Sequence, residues 1–397
     1  MTASTPAAPA APVITHDVAA QQQARRAAQV LFLILGGMAG TFGAHVPSLK
    51  AHYGLSEASL SSMLLVAAIG AVSCLLYAGR CVGRLGQRRT TTLASLGVCL
   101  SLGTALQAPS FAWLLPVMVL FGAAMSLMDV AINAAGSELE TLGGRPIMSN
   151  LHGMFSVGGL CGAGLASWLL SAQVPPTAQL PGVCMFLAVV TVLAAPWLLA
   201  QSKSGVGKPT LAHFVWPRGT LLVIGLLILV GMTAEGVMAD WCVLYLNQEV
   251  GMTAAQAALG YAVFSGAMAV ARFAGDWMRQ RFEETLLLSW GATVAALAMV
   301  CVLLSAPSWV TWVGLALVGA GLAPVAPILF QAATRVPGVS PAAAIAAVTS
   351  IGYSGFMLGP PLMGAIATAT SLSTAMGVVV IAAVVLACCA RWVVSTG

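Results

Sequence analysis

Two carboxylic acids stand where an apolar chain does not usually place them, and a third lies near by. Glu235 lies about fifteen residues into an apolar run that begins near Leu221, or ~22 Å along a helix axis. Asp129 sits inside another such run, and Asp240 follows Glu235 on the same one. A charge at mid-bilayer depth costs roughly 2.5–3.5 kcal/mol on insertion scales. A residue that costs this much faces a partner, a cavity or a proton path. A carboxyl held in such a place can load and release a proton, or accept the hydroxyls of a solute. The structural alternative for Glu235 is a hydrogen bond that locks its helix to a neighbour. Asp240 falls ~140° around the helix from Glu235 and further out. It is expected as a wet helix end or a cap partner. Trp241 is expected in the interfacial belt or as a stacking face for a sugar.

Ser126, Asp129, Asn133, Ser137 and Glu140 recur at steps of three and four, which puts them on one stripe of one helix. A polar stripe on a spanning helix faces protein or water, not lipid. Asp129 and Asn133 are therefore candidate substrate or proton ligands, and Ser137 and Glu140 the solvated end of the stripe. His45 on the first run is a titrating group or a satisfied core histidine. His152, at the start of the fifth run, is expected near Asn133. Tyr353 offers an apolar body and a hydroxyl at mid-depth, and Gln331 stands near the inner end of the tenth run; both are candidate lining residues. The histidines have no metal-ligand spacing, and the nine cysteines all fall in apolar segments. Neither a metal site nor a disulfide framework is expected.

The elements that must position these groups follow from composition. Hydrophobic residues make up 59% of the 397 residues and charged residues only 7%, against about a quarter charged in soluble domains. The expectation is an all-α polytopic membrane protein. Twelve apolar runs have spanning length: 28–49, 57–80, 90–108, 111–138, 148–171, 180–200, 219–246, 254–276, 285–305, 308–334, 341–367 and 371–392. With a cytoplasmic N-terminus, every Lys and Arg except Lys50 falls on or near the inner side, as the positive-inside rule requires. Both termini are then cytoplasmic, in a multi-pass protein of the inner membrane. Residues 1–27 are expected as a disordered tail, 28–200 as one six-helix bundle, 201–218 as a polar linker and 219–397 as a second bundle. An offset of 197 residues maps Gly122 onto Gly319, and Gly158 and Gly162 onto Gly355 and Gly359. That is the signature of a duplicated unit, with a site expected between two parallel halves. The basic residues are scattered singly, so nucleic acid is not an expected partner.

The loop after the second run reads Gly79-Arg80-Cys81-Val82-Gly83-Arg84-Leu85-Gly86-Gln87-Arg88-Arg89. It resembles the signature cytoplasmic loop of the major facilitator superfamily, with Gly83 where the family has Asp. The second copy, Arg272-Phe273-Ala274-Gly275-Asp276-Trp277-Met278-Arg279, keeps the acid as Asp276. The resemblance implies that Gly79, Arg84, Gly86 and Arg88, and in the second copy Arg272, Asp276 and Arg279, form charge latches at helix ends. The stretches Met128 to Ala134, Asn150 to Ser156 and Ile351 to Pro361 resemble a bacterial, fucose-permease-like subgroup. Members of that subgroup carry an acid on the first helix, and this chain has none there. The resemblance implies twelve helices in two pseudo-symmetric bundles and transport by alternating access.

Apart from Arg272, assigned to the loop motif, no Lys or Arg lies deep in a run. A strongly anionic cargo needs such a cation. The expected function is therefore secondary active transport of a small polar solute, neutral or cationic and sugar-like, with protons as the coupling ion. No nucleotide-binding loop is present, and neither a cofactor nor an enzymatic activity is expected. The other partners are the lipid bilayer and no second subunit, since a monomer is expected. The rival in the same class is efflux of lipophilic cations or drugs, kept open by eighteen Met residues. The rival in another class is a non-transporting sensor or scaffold.

Overall fold

In lipid every backbone N–H and C=O must find a partner within its own segment, so these apolar runs are helices. The computed structural model describes residues 18–144, 147–199, 218–304 and 309–394. The first half holds α1 (Val18–Tyr53), α2 (Glu57–Leu85), α3 (Gln87–Thr104), α4 (Phe111–Gly143), α5 (Met148–Ser171) and α6 (Pro176–Ala194). The second half holds α7 (Thr220–Gln248), α8 (Ala254–Arg281), α9 (Glu284–Leu304), α10 (Trp309–Leu322), α11 (Val325–Thr334), α12 (Pro341–Ala369) and α13 (Leu372–Val394). Eleven described segments are long and apolar enough to cross a membrane, with α10 and α11 together forming one of them. The twelfth is α3, which has 18 residues and begins with the polar stretch Gln87 to Thr92.

Two expected boundaries shift. The tail does not run to residue 27, because α1 already begins at Val18; Ala, Gln and Arg in this stretch are strong helix formers. Residues 1–17 and nearly all of the 201–218 linker lie outside the described residues. The tenth run is not one helix. It breaks at Ala323 and Pro324 into α10 and α11, because proline supplies no N–H and crowds the preceding turn.

The two halves use one packing scheme. In the first, α1 lies on α5, α2 on α4, and α3 on α4 and α6; in the second, α7 lies on α12, α8 on α10, and α9 on α10 and α13. The match extends to single contacts. A Cβ on Gly122 would run into the Ala67 carbonyl oxygen, and one on Gly319 into the Phe264 carbonyl oxygen. All four positions obey the same 197-residue offset. Between the halves, α5 lies on α8, α2 on α12, and α1 on α7.

The molecule is closed at the end where α1 turns into α2. There Lys50 Nζ donates to Gln248 Oε1 (2.9 Å), Ser61 Oγ donates to Pro360 O (2.6 Å), and Gly43 lies close against the Ala239 carbonyl. At the opposite end the bonds from Gln29 to Asn150 and from Arg279 to Gln331 each stay within one half, and the halves touch on this side where α5 meets α8, through Ser149 Oγ to Arg272 O (3.4 Å) and Phe273 against Gly153. These are called the sealed and the open end below.

Candidate functional site

At mid-depth two polar bridges join the halves. In the first, Asn133 Nδ2 donates to Asp129 Oδ1 (2.9 Å) along α4, and Tyr353 Oη on α12 donates to Asp129 Oδ2 (3.1 Å). The i, i+4 spacing of Asp129 and Asn133 makes the intrahelical bond possible. All three side chains are partly exposed, so they line the space between the halves.

The second bridge is centred on Arg272. Its guanidinium donates to both carboxylate oxygens of Glu235 (3.0 and 3.1 Å) and to Ser156 Oγ on α5 (2.8 Å). Arg272 is 9% exposed. This corrects its placement in a cytoplasmic loop, because α8 continues to Arg281 and carries Arg272 into the bundle. The interior is therefore not free of cations. A guanidinium facing a carboxylate with two donors forms a strong and directional pair. His152 lies in the field of this pair with its ring edge-on to Phe32 at 5.5 Å. It is exposed.

Other expected site residues lie elsewhere. His45 is fully buried, its Nδ1 2.9 Å from Thr41 O and its Nε2 3.0 Å from Gln179 Oε1. It is a core histidine within the first half. Trp241 is 1% exposed; it is neither an interfacial belt residue nor an open stacking face. Gln331 is exposed at the open end and accepts from Arg279 (3.1 Å). Glu140 is not simply solvated. It accepts from Ile147 N and Met148 N, and so caps the start of α5 where backbone donors have no helical partner.

The loop motif of the first half is a tight turn. Gly86 adopts φ +81° between α2 and α3, Arg88 Nε donates to Leu198 O (2.7 Å), and Gly79 and Arg84 are exposed. Gln87 beside them donates to Glu138 of α4 (2.8 Å). In the second copy Arg279 reaches Gln331, while the side chain of Asp276 lies outside the described residues.

Sequence reasoning missed Asp240 as an interior group. It lies within α7, eight residues before that helix ends, and lines a small cavity with Thr233, Gly236, Gly355, Gly359 and Pro360. The cavity, about 10 Å³, has room for about one water molecule. A larger cavity of about 490 Å³ lies between α8, α9, α10 and α11, with Ser149 of α5 also on its wall. Its walls are apolar, with Arg272 and Arg279 on its α8 side.

The family model described as Major Facilitator Superfamily matches residues 28–354. A relative from Yersinia pestis, described as an MFS-type transporter, is 35% identical over 363 residues, covering 91% of this chain and 94% of its own. Among solved structures, a D-xylose-proton symporter superposes with TM-score 0.76 at 15% identity, covering 94% of this chain and 98% of its own. The E. coli fucose:proton symporter does so with TM-score 0.62 at 17% identity, covering 93% and 98%. At such identities these two structures show the fold alone.

Proposed function

The chain belongs to the major facilitator superfamily, and from that premise we propose that it moves a small polar solute, neutral or cationic, across the inner membrane by alternating access coupled to protons. The observation that carries this reading is the bond from Tyr353 to Asp129. It joins the halves at mid-depth through two side chains that face the intervening space. A cargo hydroxyl or ammonium that replaces Tyr353 as donor to Asp129 would loosen one half from the other, which ties binding to rocking.

Charge supports the choice of cargo. Glu235 and Arg272 neutralise one another, and Asp129 leaves the space between the halves negative. That field repels an anionic solute, attracts an amine and is indifferent to a polyol or sugar. The related structures named for xylose and fucose transport fit a sugar-like cargo. The two moving bodies are residues 28–200 and 219–397, joined by 201–218. The positive-inside pattern puts both termini and the open end in the cytoplasm, so the described state faces inward.

Counterflow in proteoliposomes with sugars, polyols and amines, with and without a pH gradient, tests this. The expected result is gradient-dependent accumulation that Asp129→Asn abolishes. Flux indifferent to the gradient, or coupling untouched by Asp129→Asn, would overturn it. The drug-efflux reading has one observation in its favour, the apolar cavity of about 490 Å³ with Met278, Phe282 and Trp290 in its wall. It predicts that lipophilic cations, not polyols, exchange in the same assay.

A further inference from the structure

The three acids at membrane depth have different counter-charges. Two donors hold the Asp129 carboxylate, from Asn133 and Tyr353. Arg272 holds Glu235. Among the described residues no hydrogen bond or ion pair reaches Asp240. An ionised carboxylate without donors in a site of this depth is expensive. The counter-ion left for Asp240 is a proton.

The duplication shows how its site arose. The position 197 residues before Asp240 is Gly43, and those before Gly355 and Gly359 are Gly158 and Gly162. In the first half the α1–α5 contact is shut: a Cβ on Gly158 would strike the Leu33 carbonyl, and one on Gly162 the Gly37 carbonyl. In the second half a Cβ on Gly359 would meet nothing within 4 Å. The α7–α12 contact therefore opens where its counterpart closes, and Asp240 occupies the opening. Pro360 forms part of the cavity wall and is also the residue whose carbonyl receives Ser61 in the seal. A protonated Asp240 adds no charge to this wall, whereas a carboxylate places one beside Pro360.

We propose that Asp240 is the proton-carrying residue of the transport cycle, and that its protonation holds α12 against α7 and keeps the α2–α12 seal closed. The step is one proton transfer. Hydronium at the outer face gives its proton to a carboxylate oxygen, and the carboxyl returns it to water at the other face. The inference rests on the transport reading above. The groups around Asp240 are accounted for. Tyr261 of α8 lies in the field of Asp240, Glu235, Cys242 and Arg272. Arg272 is occupied by Glu235 and Ser156. His45 of α1 is bonded to Gln179, and Tyr353 of α12 to Asp129. Neither α11 nor the stretch 372–383 of α13 carries a titratable side chain.

Ser61 is 7% exposed in the seal, so Ser61→Cys reports its opening without any cargo. The full-length chain in liposomes is treated with a membrane-impermeant maleimide from about pH 5 to about pH 9, with the labelling rate corrected for the reagent's own pH dependence using a thiol on a random-coil peptide. Peptide mass identifies modification at residue 61. The corrected rate is expected to rise about tenfold over this range. In Asp240→Asn it is expected to stay at the low, protonated level throughout, while Asp240→Glu restores the dependence with a moved midpoint. The Glu variant guards against a misfolded Asn variant. Unchanged pH dependence in Asp240→Asn, or its loss in Glu235→Gln alone, overturns the proposal. Counterflow separates the two readings. Gradient-driven flux that survives Asp240→Asn sinks Asp240 and leaves transport standing. Absence of any sugar, polyol or amine flux, with Asp240-dependent labelling intact, sinks the cargo reading instead.

Discussion

The Tyr353 hydroxyl and the Asp129 carboxylate meet at 3.1 Å although 224 residues separate them in the chain. One belongs to each half, so the bond is present only while the halves hold their described relation. Tyr353→Phe and Asp129→Ala are expected to act through the same bond. Hydrogen bonds to a charged group contribute about 1.5–3 kcal/mol. A double-mutant cycle on thermal stability should therefore show coupling of about 1–2 kcal/mol. Strict additivity would mean that the two side chains do not engage in the membrane.

Arg272 serves two helices at once. Arg272→Ala leaves Glu235 without its counter-ion and Ser156 without its donor. Breaking one side of a buried pair costs about 3–5 kcal/mol; Glu235 is a third exposed, which lowers this to about 1–3 kcal/mol after screening. Melting of the detergent-solubilised protein should fall further in Arg272→Ala than in Glu235→Gln. Combining Arg272→Gln with Glu235→Gln should recover part of the loss. A double variant no more stable than Arg272→Ala would show that the charge pair is not the source.

Gly122 and Gly319 make the same contact in the two halves, and both should resist substitution. Gly122→Ala and Gly319→Ala force helix backbones apart, at about 1–3 kcal/mol each. Gly359→Ala fills open space and should melt within a degree or two of the wild type, since a change well below 1 kcal/mol moves Tm by only about that much. Equal melting of all three would mean that the α2–α4 and α8–α10 contacts are looser than described.

His45 and Gln179 form a wholly internal pair. Gln179→Leu leaves a buried ring nitrogen without its partner, at about 1–3 kcal/mol. Stability should drop while the KM for any transported solute stays put. A changed KM would return His45 to the transport path.

Much of the architecture was legible before any coordinates. The runs, the basic residues and the 197-residue offset each read out a property that a helix carries along its own length. The stripe on α4 likewise located Asp129 and Asn133 on one face. What a single helix does not record is which neighbour fills its groove. Gly122 announced a close approach, but not that the oxygen met would be that of Ala67. Arg272 was misplaced because the resemblance assigned it to a cytoplasmic loop motif, whereas α8 runs on to Arg281 and keeps Arg272 nine residues inside the helix. Trp241 and Asp240 border one small cavity, and the opening beside them depends on Gly359 of another helix, which neither residue announces.

The break between α10 and α11 has a consequence for local opening. Pro324 and Pro327 bring no N–H, so the carbonyls of Ala320 and Ala323 lack the usual bond from four residues on. Both residues border the larger cavity. The tenth span thus has fewer backbone bonds to break at its middle than α4, which is continuous over the matching stretch. Amide exchange in the turn around Leu322 should accordingly run ahead of that around Met125.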